Sequence, residues 1–176
     1  MSNKLCKLVS EGIIDIAIIN DIFDNTDASA ELDYSFLCFE DVYFGARKMI
    51  KERSEFPMSD WIIVDIGCAY AFSAFIFKDA KAYLGVDLHH DYYQASKYIK
   101  NGWFFQMDGE LFIKEMLPKL DYDINKVMII CSYIPKFSNS QQCKYITDHF
   151  PNYMIEYTSY RKYRIRLNGG KEEFSN

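Results

Sequence analysis

Three aspartates follow one another along the middle of the chain, each at the end of an apolar run that predicts a β-strand. Asp87 lies 20 positions after Gly67, a spacing at which an acidic side chain can accept hydrogen bonds from both hydroxyls of a ribose. Asp108 could accept from the exocyclic amine of an adenine, or it could cap the helix that follows it. Asp65 could anchor the next loop through its amides or bind a cationic ligand group. This spacing predicts a nucleoside-type ligand lying across neighbouring strand ends.

The loop after the first of these strands is rich in small residues. Positions 65–71 have the sequence D-I-G-C-A-Y-A. Gly67 and the small residues after it allow a tight turn and a close approach of the backbone to a ligand. The free N–H groups of the next helix would point to the same place. The alternative is an ordinary strand-to-helix turn with Asp65 as its cap. A nicotinamide-binding G-x-G-x-x-G motif would need glycines where Ala69 and Phe72 stand.

The elements that position these residues alternate along the chain. The predicted strands cover 61–66, 82–87, 103–107, 127–131 and 153–158, with 162–167 as an exposed edge strand. The predicted helices cover 4–23, 32–53, 72–78, 91–100, 110–117 and 140–150. Such alternation is typical of an α/β fold with a doubly wound, mainly parallel sheet. Ligands bind beyond the carboxyl ends of the strands in these sheets, which is where the three aspartates are expected.

Size and composition indicate a single domain, in which an N-terminal helical segment, 1–57, packs on a core formed by 58–176. The 176 residues are 49% hydrophobic and 26% charged, which excludes wholesale disorder. A net charge of −5 does not favour nucleic-acid binding by bulk electrostatics. The basic and aromatic stretch 160–166 leaves a local nucleic-acid contact open, although edge strands also carry such charges to avoid pairing with other chains.

Cysteine usage and hydropathy indicate the cellular location to expect. The five cysteines are odd in number and widely spaced, so we expect no disulfide framework and no zinc knuckle. Cys68 and Cys131 are interpreted as small buried hydrophobic residues. The adjacent pair His89 and His90 is interpreted as part of a solvated loop, and no metal is expected. Because no apolar stretch approaches the length of a bilayer span and no export signal is found, we expect a cytoplasmic protein without a membrane partner.

The acidic residues and the loop together resemble the class I S-adenosylmethionine-dependent methyltransferase family over about residues 58–160. In that family, a strand ending in an acidic-x-Gly-x-Gly-x-Gly loop cups the methionine part of the cofactor. An acid at the end of the second strand holds the ribose, and an acid after the third binds the adenine. The resemblance implies a Rossmann-like fold and S-adenosylmethionine as the cofactor.

Carried onto this chain, the resemblance assigns a role to each matching position. Asp87 would bind the ribose and Asp108 the adenine amine, with Leu88 and Met107 as apolar neighbours of the base. The residues that would face the methionine moiety are Asp65, Gly67, Cys68, Ala69, Tyr70 and Ala71.

The chain also departs from the pattern of the family. Ala69 and Ala71 stand at two glycine positions, with the bulky Tyr70 between them. The fourth strand is followed by S-Y-I-P, without the amide or acid and the adjacent prolines of the amine-methylating members. Ser132 and Tyr133 are the candidates for a catalytic role. By the resemblance alone, the position of Tyr133 borders the expected methyl group. The chain also ends soon after its sixth predicted strand, where the family has a seven-stranded sheet with a terminal antiparallel hairpin.

These departures leave two functions open. One is a methyltransferase-like protein whose acceptor is unknown. The other is a catalytically inactive protein of the methyltransferase fold that acts through protein contacts, as a homo-oligomer or as a regulatory subunit.

Overall fold

A seven-stranded β-sheet forms the centre of the protein in a computed structural model that describes residues 9–25, 43–89, 92–131, 141–158 and 162–174. The strands are β1 (Ile62–Ile66), β2 (Ala82–Asp87), β3 (Gly102–Gln106), β4 (Val127–Cys131), β5 (Tyr153–Thr158), β6 (Lys162–Arg166) and β7 (Glu173–Phe174). Their order across the sheet is β3-β2-β1-β4-β5-β6-β7. The first five of these positions are joined by parallel pairs, whereas β5–β6 and β6–β7 are antiparallel. The protein is therefore an α/β protein with a mostly parallel sheet.

The central strands form from continuous apolar runs because both of their faces are covered. All five residues of β1 and all five of β4 are buried. A strand that packs against helices on both faces has no solvent-exposed side, so its sequence does not alternate between apolar and polar residues. Asp65 is the one carboxylate within these two buried strands.

The C-terminal part of the sheet corrects the sequence prediction. The stretch 162–167 was expected to be an exposed edge strand, but β6 lies between β5 and β7 and Tyr163 is buried. The chain turns back after β6 through Asn168 and Gly169, both with positive φ, and adds the two-residue β7 as a seventh strand. The expectation that the sheet would stop at six strands was therefore wrong.

Helices flank the sheet, and most are shorter than predicted. They comprise α1 (Ile16–Asp24), α2 (residues 43–53), α3 (Ser73–Ile76), α4 (Tyr93–Ser96), α5 (Gly109–Leu111) and α6 (Gln141–His149). After α5 the chain continues as a π-helical turn, Phe112–Met116, and a 3₁₀ turn, Leu117–Lys119. The predicted helix 4–23 is interrupted at Gly12, whose φ of +66° ends a turn before α1 begins. Within the described ranges, no helix combines the length and apolar character that crossing a bilayer requires.

Two hydrophobic cores lie on opposite faces of the sheet. On the first face, α1 to α4 cover the strand residues Ile63, Tyr83 and Ile130. On the second face, α6 and the helical segment 109–119 cover the neighbouring strand residues, among them Val64 and Ile129. Because successive side chains of a strand point to opposite faces, the two cores share the same strands.

A buried asparagine joins the parallel part of the sheet to its antiparallel part. Asn152 is fully buried just before β5, and its Nδ2 donates to the backbone oxygens of Asn125 and Val127 at 3.0 and 3.1 Å. Its Oδ1 accepts from the backbone N–H of Asn168 at 2.6 Å. A buried amide side chain is stable only when its donors and acceptor are paired, and these three bonds meet that condition.

Candidate functional site

The carboxyl ends of the parallel strands lie level with one another, and we call this side of the sheet the carboxyl edge. Ile66 at the end of β1 is paired with Val86 of β2 on one side and with Cys131 of β4 on the other. Asp87 at the end of β2 is paired with Gln106 at the end of β3. The sequence positions of Asp65, Asp87 and Asp108 therefore follow this one edge, although their side chains serve different purposes there.

The loop after β1 has a left-handed backbone at every second residue. Gly67, Ala69 and Ala71 have φ angles of 76°, 45° and 55°. The N–H groups of Gly67 and Cys68 both donate to the backbone oxygen of Val86, at 2.8 and 3.2 Å. Positive φ is unfavourable for alanine, so the surrounding contacts must hold these two residues in place. The three positions are those at which the pattern that the sequence resembles has glycine.

The side chains of this loop point into the core of the first face. Cys68, Tyr70 and Ala71 are 5%, 4% and 1% exposed, and the Tyr70 ring lies 6.2 Å from that of Phe72. The bulky Tyr70 side chain therefore does not project over the outer side of the loop. Because these side chains are buried, any contact of the loop with a ligand would be made by its backbone and by the half-buried Ala69.

Asp65 forms a buried hydrogen-bonded cluster with three hydroxyl groups. Its Oδ1 accepts from the Tyr43 hydroxyl at 3.1 Å, and its Oδ2 accepts from Ser73 and Tyr83, both at 2.5 Å. The carboxyl group is fully buried among side chains from α2, α3 and β2. It does not bind the loop amides, and it does not reach solvent where it could face a methionine moiety. The structure therefore shows Asp65 bonded within the core, and its assignment to the ligand stays a prediction.

Burial and hydrogen bonding act in opposite directions on the pKa of the Asp65 carboxyl. Burial raises the pKa of this carboxyl from 3.8 to about 6 because a charged group is poorly solvated there. Hydrogen bonds from Ser73, Tyr83 and Tyr43 act in the opposite direction, while the nearby Asp87 carboxylate raises the pKa further. The pKa of the Tyr83 hydroxyl is also raised, first by burial and then by Asp65.

Asp87 connects the loop after β1 to the loop after β2. Its Oδ2 accepts from the backbone N–H of Ala69 at 2.9 Å, and its Oδ1 accepts from the backbone N–H of His89 at 3.0 Å. Each carboxylate oxygen carries two lone pairs, so one acceptor position on each remains after these bonds. The side chain is partly exposed at the carboxyl edge, where two further hydroxyl donors could approach it.

Asp108 caps the helical segment that follows β3. Its Oδ1 accepts from the backbone N–H groups of Glu110 and Leu111, at 2.9 and 3.0 Å. Of the two roles that the sequence left open, the structure shows the cap. The side chain is exposed, and none of the described residues donates to its Oδ2.

The two predicted apolar neighbours of a base differ in exposure. Leu88 is 63% exposed beside Asp87, whereas Met107 is half-buried and packs against the core of the second face. The Met107 N–H donates to the backbone oxygen of Asp87 at 2.9 Å, which keeps the two loops adjacent. An apolar surface is therefore present next to the two carboxylates, and Leu88 is its most exposed part.

Several sequence predictions concern residues outside the described ranges. Ser132, Tyr133, His90 and Asp91 belong to this group, as does the start of the stretch 160–166. In the described part of that stretch, Arg164 binds Glu172 at 3.0 Å and Arg166 lies over the Tyr153 ring. Among the described residues, no group of three or more His, Cys, Asp or Glu side chains is arranged to hold a metal.

Sequence reasoning missed the three hydroxyl groups that bind Asp65. Strand alternation gave a signal for Tyr83, because residues 63 and 65 share a face of β1 and Tyr83 is paired with Ile63. Ser73 gave none, because it lies at the start of helix α3. Tyr43 gave no such signal, since it lies 22 positions away on a helix whose orientation the sequence does not specify.

Comparisons with known proteins add no assignment to this geometry. No protein-family model matches the chain, and a search of curated proteins finds no match. The interpretation of the site therefore depends on its own geometry and on the sequence pattern described above.

Proposed function

We propose that this protein binds S-adenosylmethionine at the carboxyl edge of the sheet, in a Rossmann-like domain of the methyltransferase type. The conformation of the loop after β1 is the main support for the proposal. The loop at 67–71 adopts a left-handed backbone at the three positions where the family pattern has glycine, and two of these positions are alanines. Backbone strain of this kind persists only where the surroundings enforce it, and it concentrates at binding sites.

The residues present fit the three parts of the cofactor. The backbone of the loop would accommodate the methionine moiety, because its bulky side chains are turned into the core. Asp87 has one acceptor position left on each carboxylate oxygen for the two ribose hydroxyls. The exposed Leu88 would contact the base, and Oδ2 of Asp108 would accept from its amine.

The chemistry that the cofactor supplies when bound is a methyl group on a positively charged sulfur, ready for in-line transfer to a nucleophile. The task of this chain is then to hold donor and acceptor in line and to exclude water. Asp87 positions the ribose, and through Ala69 it also positions the loop that carries the methionine part. On the resemblance alone, Ser132 and Tyr133 would border the acceptor.

Isothermal titration with S-adenosylhomocysteine tests the binding proposal. We expect saturable binding by the wild type and a loss of at least about tenfold in affinity for Asp87→Ala. Asp123→Ala is the matched control, because Asp123 also accepts from a backbone N–H, that of Asn125 at 3.0 Å, but precedes β4 at the opposite edge. Absence of heat at millimolar ligand, or an equal loss in both variants, would reject the proposal.

A second candidate function is a non-catalytic protein of the same fold that acts as a regulatory subunit. The observation in its favour is that two of the three aspartates have structural roles, Asp65 in a buried hydroxyl cluster and Asp108 as a helix cap. Transfer of a radiolabelled methyl group to cell extract separates the two candidates. Ligand binding with transfer supports the enzyme, and ligand binding without transfer supports the regulatory protein.

A further inference from the structure

Strand β3 is the outermost strand on one side of the sheet, and within the described residues its outer backbone groups have no strand partner. The Asn101 carbonyl accepts from the Tyr83 N–H at 2.8 Å, and the Met107 N–H donates to the Asp87 carbonyl at 2.9 Å. Backbone groups alternate in direction along a strand, so Trp103 and Phe105 direct theirs toward β2. Phe104 and Gln106 therefore direct their N–H and C=O groups away from the sheet. Within the described residues, no strand pairs with them on that side.

The composition of β3 does not protect this edge. The strand has the sequence G-W-F-F-Q, without charge and without proline, and the Trp103 side chain is 53% exposed. Proteins usually protect an open edge by charge, proline, a bulge or short length. The opposite edge meets these criteria, because β7 has two residues and its Glu173 forms an ion pair with Arg53 at 2.8 Å. The two edges of the same sheet thus differ in their capacity to pair.

We propose that two copies of this chain associate through β3, which pairs antiparallel with β3 of the second copy about a two-fold axis. With Phe104 opposite Gln106 of the second copy, each such pair exchanges two N–H···O=C bonds. The axis then passes beside Phe105, and Trp103 lies opposite Met107 of the second copy on the same face. The outward backbone groups of Phe104 and Gln106, which have no strand partner among the described residues, are satisfied in this arrangement.

The lack of charge on β3 makes the strand compatible with a second copy of itself. A two-fold axis brings identical segments together, so any charge on β3 would oppose the same charge on the partner. β3 carries none, whereas self-pairing of β7 would bring the acidic pair Glu172 and Glu173 toward its own copy. The antiparallel contact is also closed by its symmetry, so association stops at the dimer.

Sedimentation equilibrium over a wide concentration range tests the proposal, with Gln106→Pro as the main variant. Proline removes the outward N–H of residue 106 without removing a bond to β2, because that N–H points away from the sheet. We expect a reversible monomer–dimer equilibrium in the wild type that is weakened at least about tenfold in Gln106→Pro. Gln106→Ala is its control, because it also loses the side-chain bond to the Leu88 carbonyl but keeps the N–H.

A second pair of variants keeps the test decisive if the proline variant fails to fold. Trp103→Lys places a charge on β3 and should weaken the dimer, whereas Phe174→Lys places the same charge on the opposite edge and should not. In the wild type itself, hydrogen exchange at the amides of Phe104 and Gln106 should slow as protein concentration rises. A strict monomer, oligomers larger than two, or concentration-independent exchange at both amides would each overturn the proposal.

Discussion

The Asp87 carboxylate accepts a hydrogen bond from the backbone N–H of Ala69, 2.9 Å away, and Ala69 is a residue with a φ of 45°. The other oxygen of the same carboxylate accepts from the N–H of His89. One side chain at the end of β2 thus holds two loops in a fixed relation. The left-handed turn of the first loop depends on an acceptor that lies 18 positions further along the chain.

Asp87 and Asp108 accept their backbone hydrogen bonds through different numbers of carboxylate oxygens, so replacement by asparagine should affect stability differently at the two positions. In Asp87→Asn, one of the two backbone N–H groups must face the new NH₂ group, because the two bonds use different oxygens. We expect the free energy of unfolding to fall by about 1–3 kcal/mol in urea titration. In Asp108→Asn both bonds can remain, since both use Oδ1, and the expected change is below about 0.5 kcal/mol. Equal losses in the two variants would contradict this account of Asp87.

Replacing Ala69, which has a left-handed backbone, by glycine should stabilise the protein. Left-handed backbone costs alanine about 1–2 kcal/mol, and the greater freedom of glycine in the unfolded chain offsets part of the gain. We therefore expect Ala69→Gly to raise the free energy of unfolding by about 0.5 kcal/mol. Ala74→Gly is the control, because Ala74 lies buried in α3 and should lose about 1 kcal/mol. A loss in both variants would show that the methyl group of Ala69 contributes more packing than strain.

The buried Asp65 predicts how stability changes with pH. Its pKa of about 6 in the folded protein exceeds its ordinary value of 3.8, so the folded state binds more protons between pH 4 and 6. The contribution of this group to the free energy of unfolding should therefore fall as the pH rises through that window, by at most about 3 kcal/mol. Urea titrations of the wild type and Asp65→Asn at a series of pH values measure this difference.

The free energy of unfolding of Asp65→Asn should change less with pH between pH 4 and 6, because an asparagine cannot titrate. Its amide can still bond to the three hydroxyls. Asp60→Asn is the control for replacing a carboxylate outside the buried cluster, because Asp60 is partly exposed and paired with Lys126. If Asp65→Asn follows the wild type throughout, the carboxyl is charged over the whole range.

Two glycines predict opposite effects of an added methyl group. A Cβ at Gly85 would lie 2.8 Å from Cδ1 of Phe104, a ring that stacks on Tyr92 at 5.1 Å and has little room to move. We expect Gly85→Ala to lower the free energy of unfolding by about 1–3 kcal/mol. A Cβ at Gly45, in α2, would meet only the flexible end of Met154 at 3.4 Å, so Gly45→Ala should gain about 0.5–1 kcal/mol. Thermal or urea unfolding of both variants gives the comparison, and a stabilised Gly85→Ala would contradict it.

The central strands were predictable because strands buried on both faces have continuous apolar sequences. β2 and β4 have the predicted bounds, and β1 begins one residue later than predicted. Helix lengths were less predictable, since Asp91–Lys100 has helical composition but only Tyr93–Ser96 is helical. Within the described residues, turns flank α4 on both sides and limit its length. The domain boundary near residue 57 and the cofactor stay predictions.

The site was predictable where it depends on strand order and unpredictable where it depends on packing. The alignment of Asp87 with the end of β2 follows from the parallel sheet, which the sequence indicated. The inward direction of Asp65 could not be read from its position, because Tyr43, Ser73 and Tyr83 converge on it from three separate elements. A carboxylate near the end of a strand can face either solvent or core, and only its neighbours decide which.

The alternating left-handed turn at 67–71 also bears on how loops of this conformation are recognised. A motif written as a string of glycines scores this loop poorly, because two of the three letters are alanine. A template written in backbone angles would match it at all three places, since Gly67, Ala69 and Ala71 share the same sign of φ. Conformation-based scanning of uncharacterised chains should therefore retrieve loops of this kind that letter-based signatures pass over.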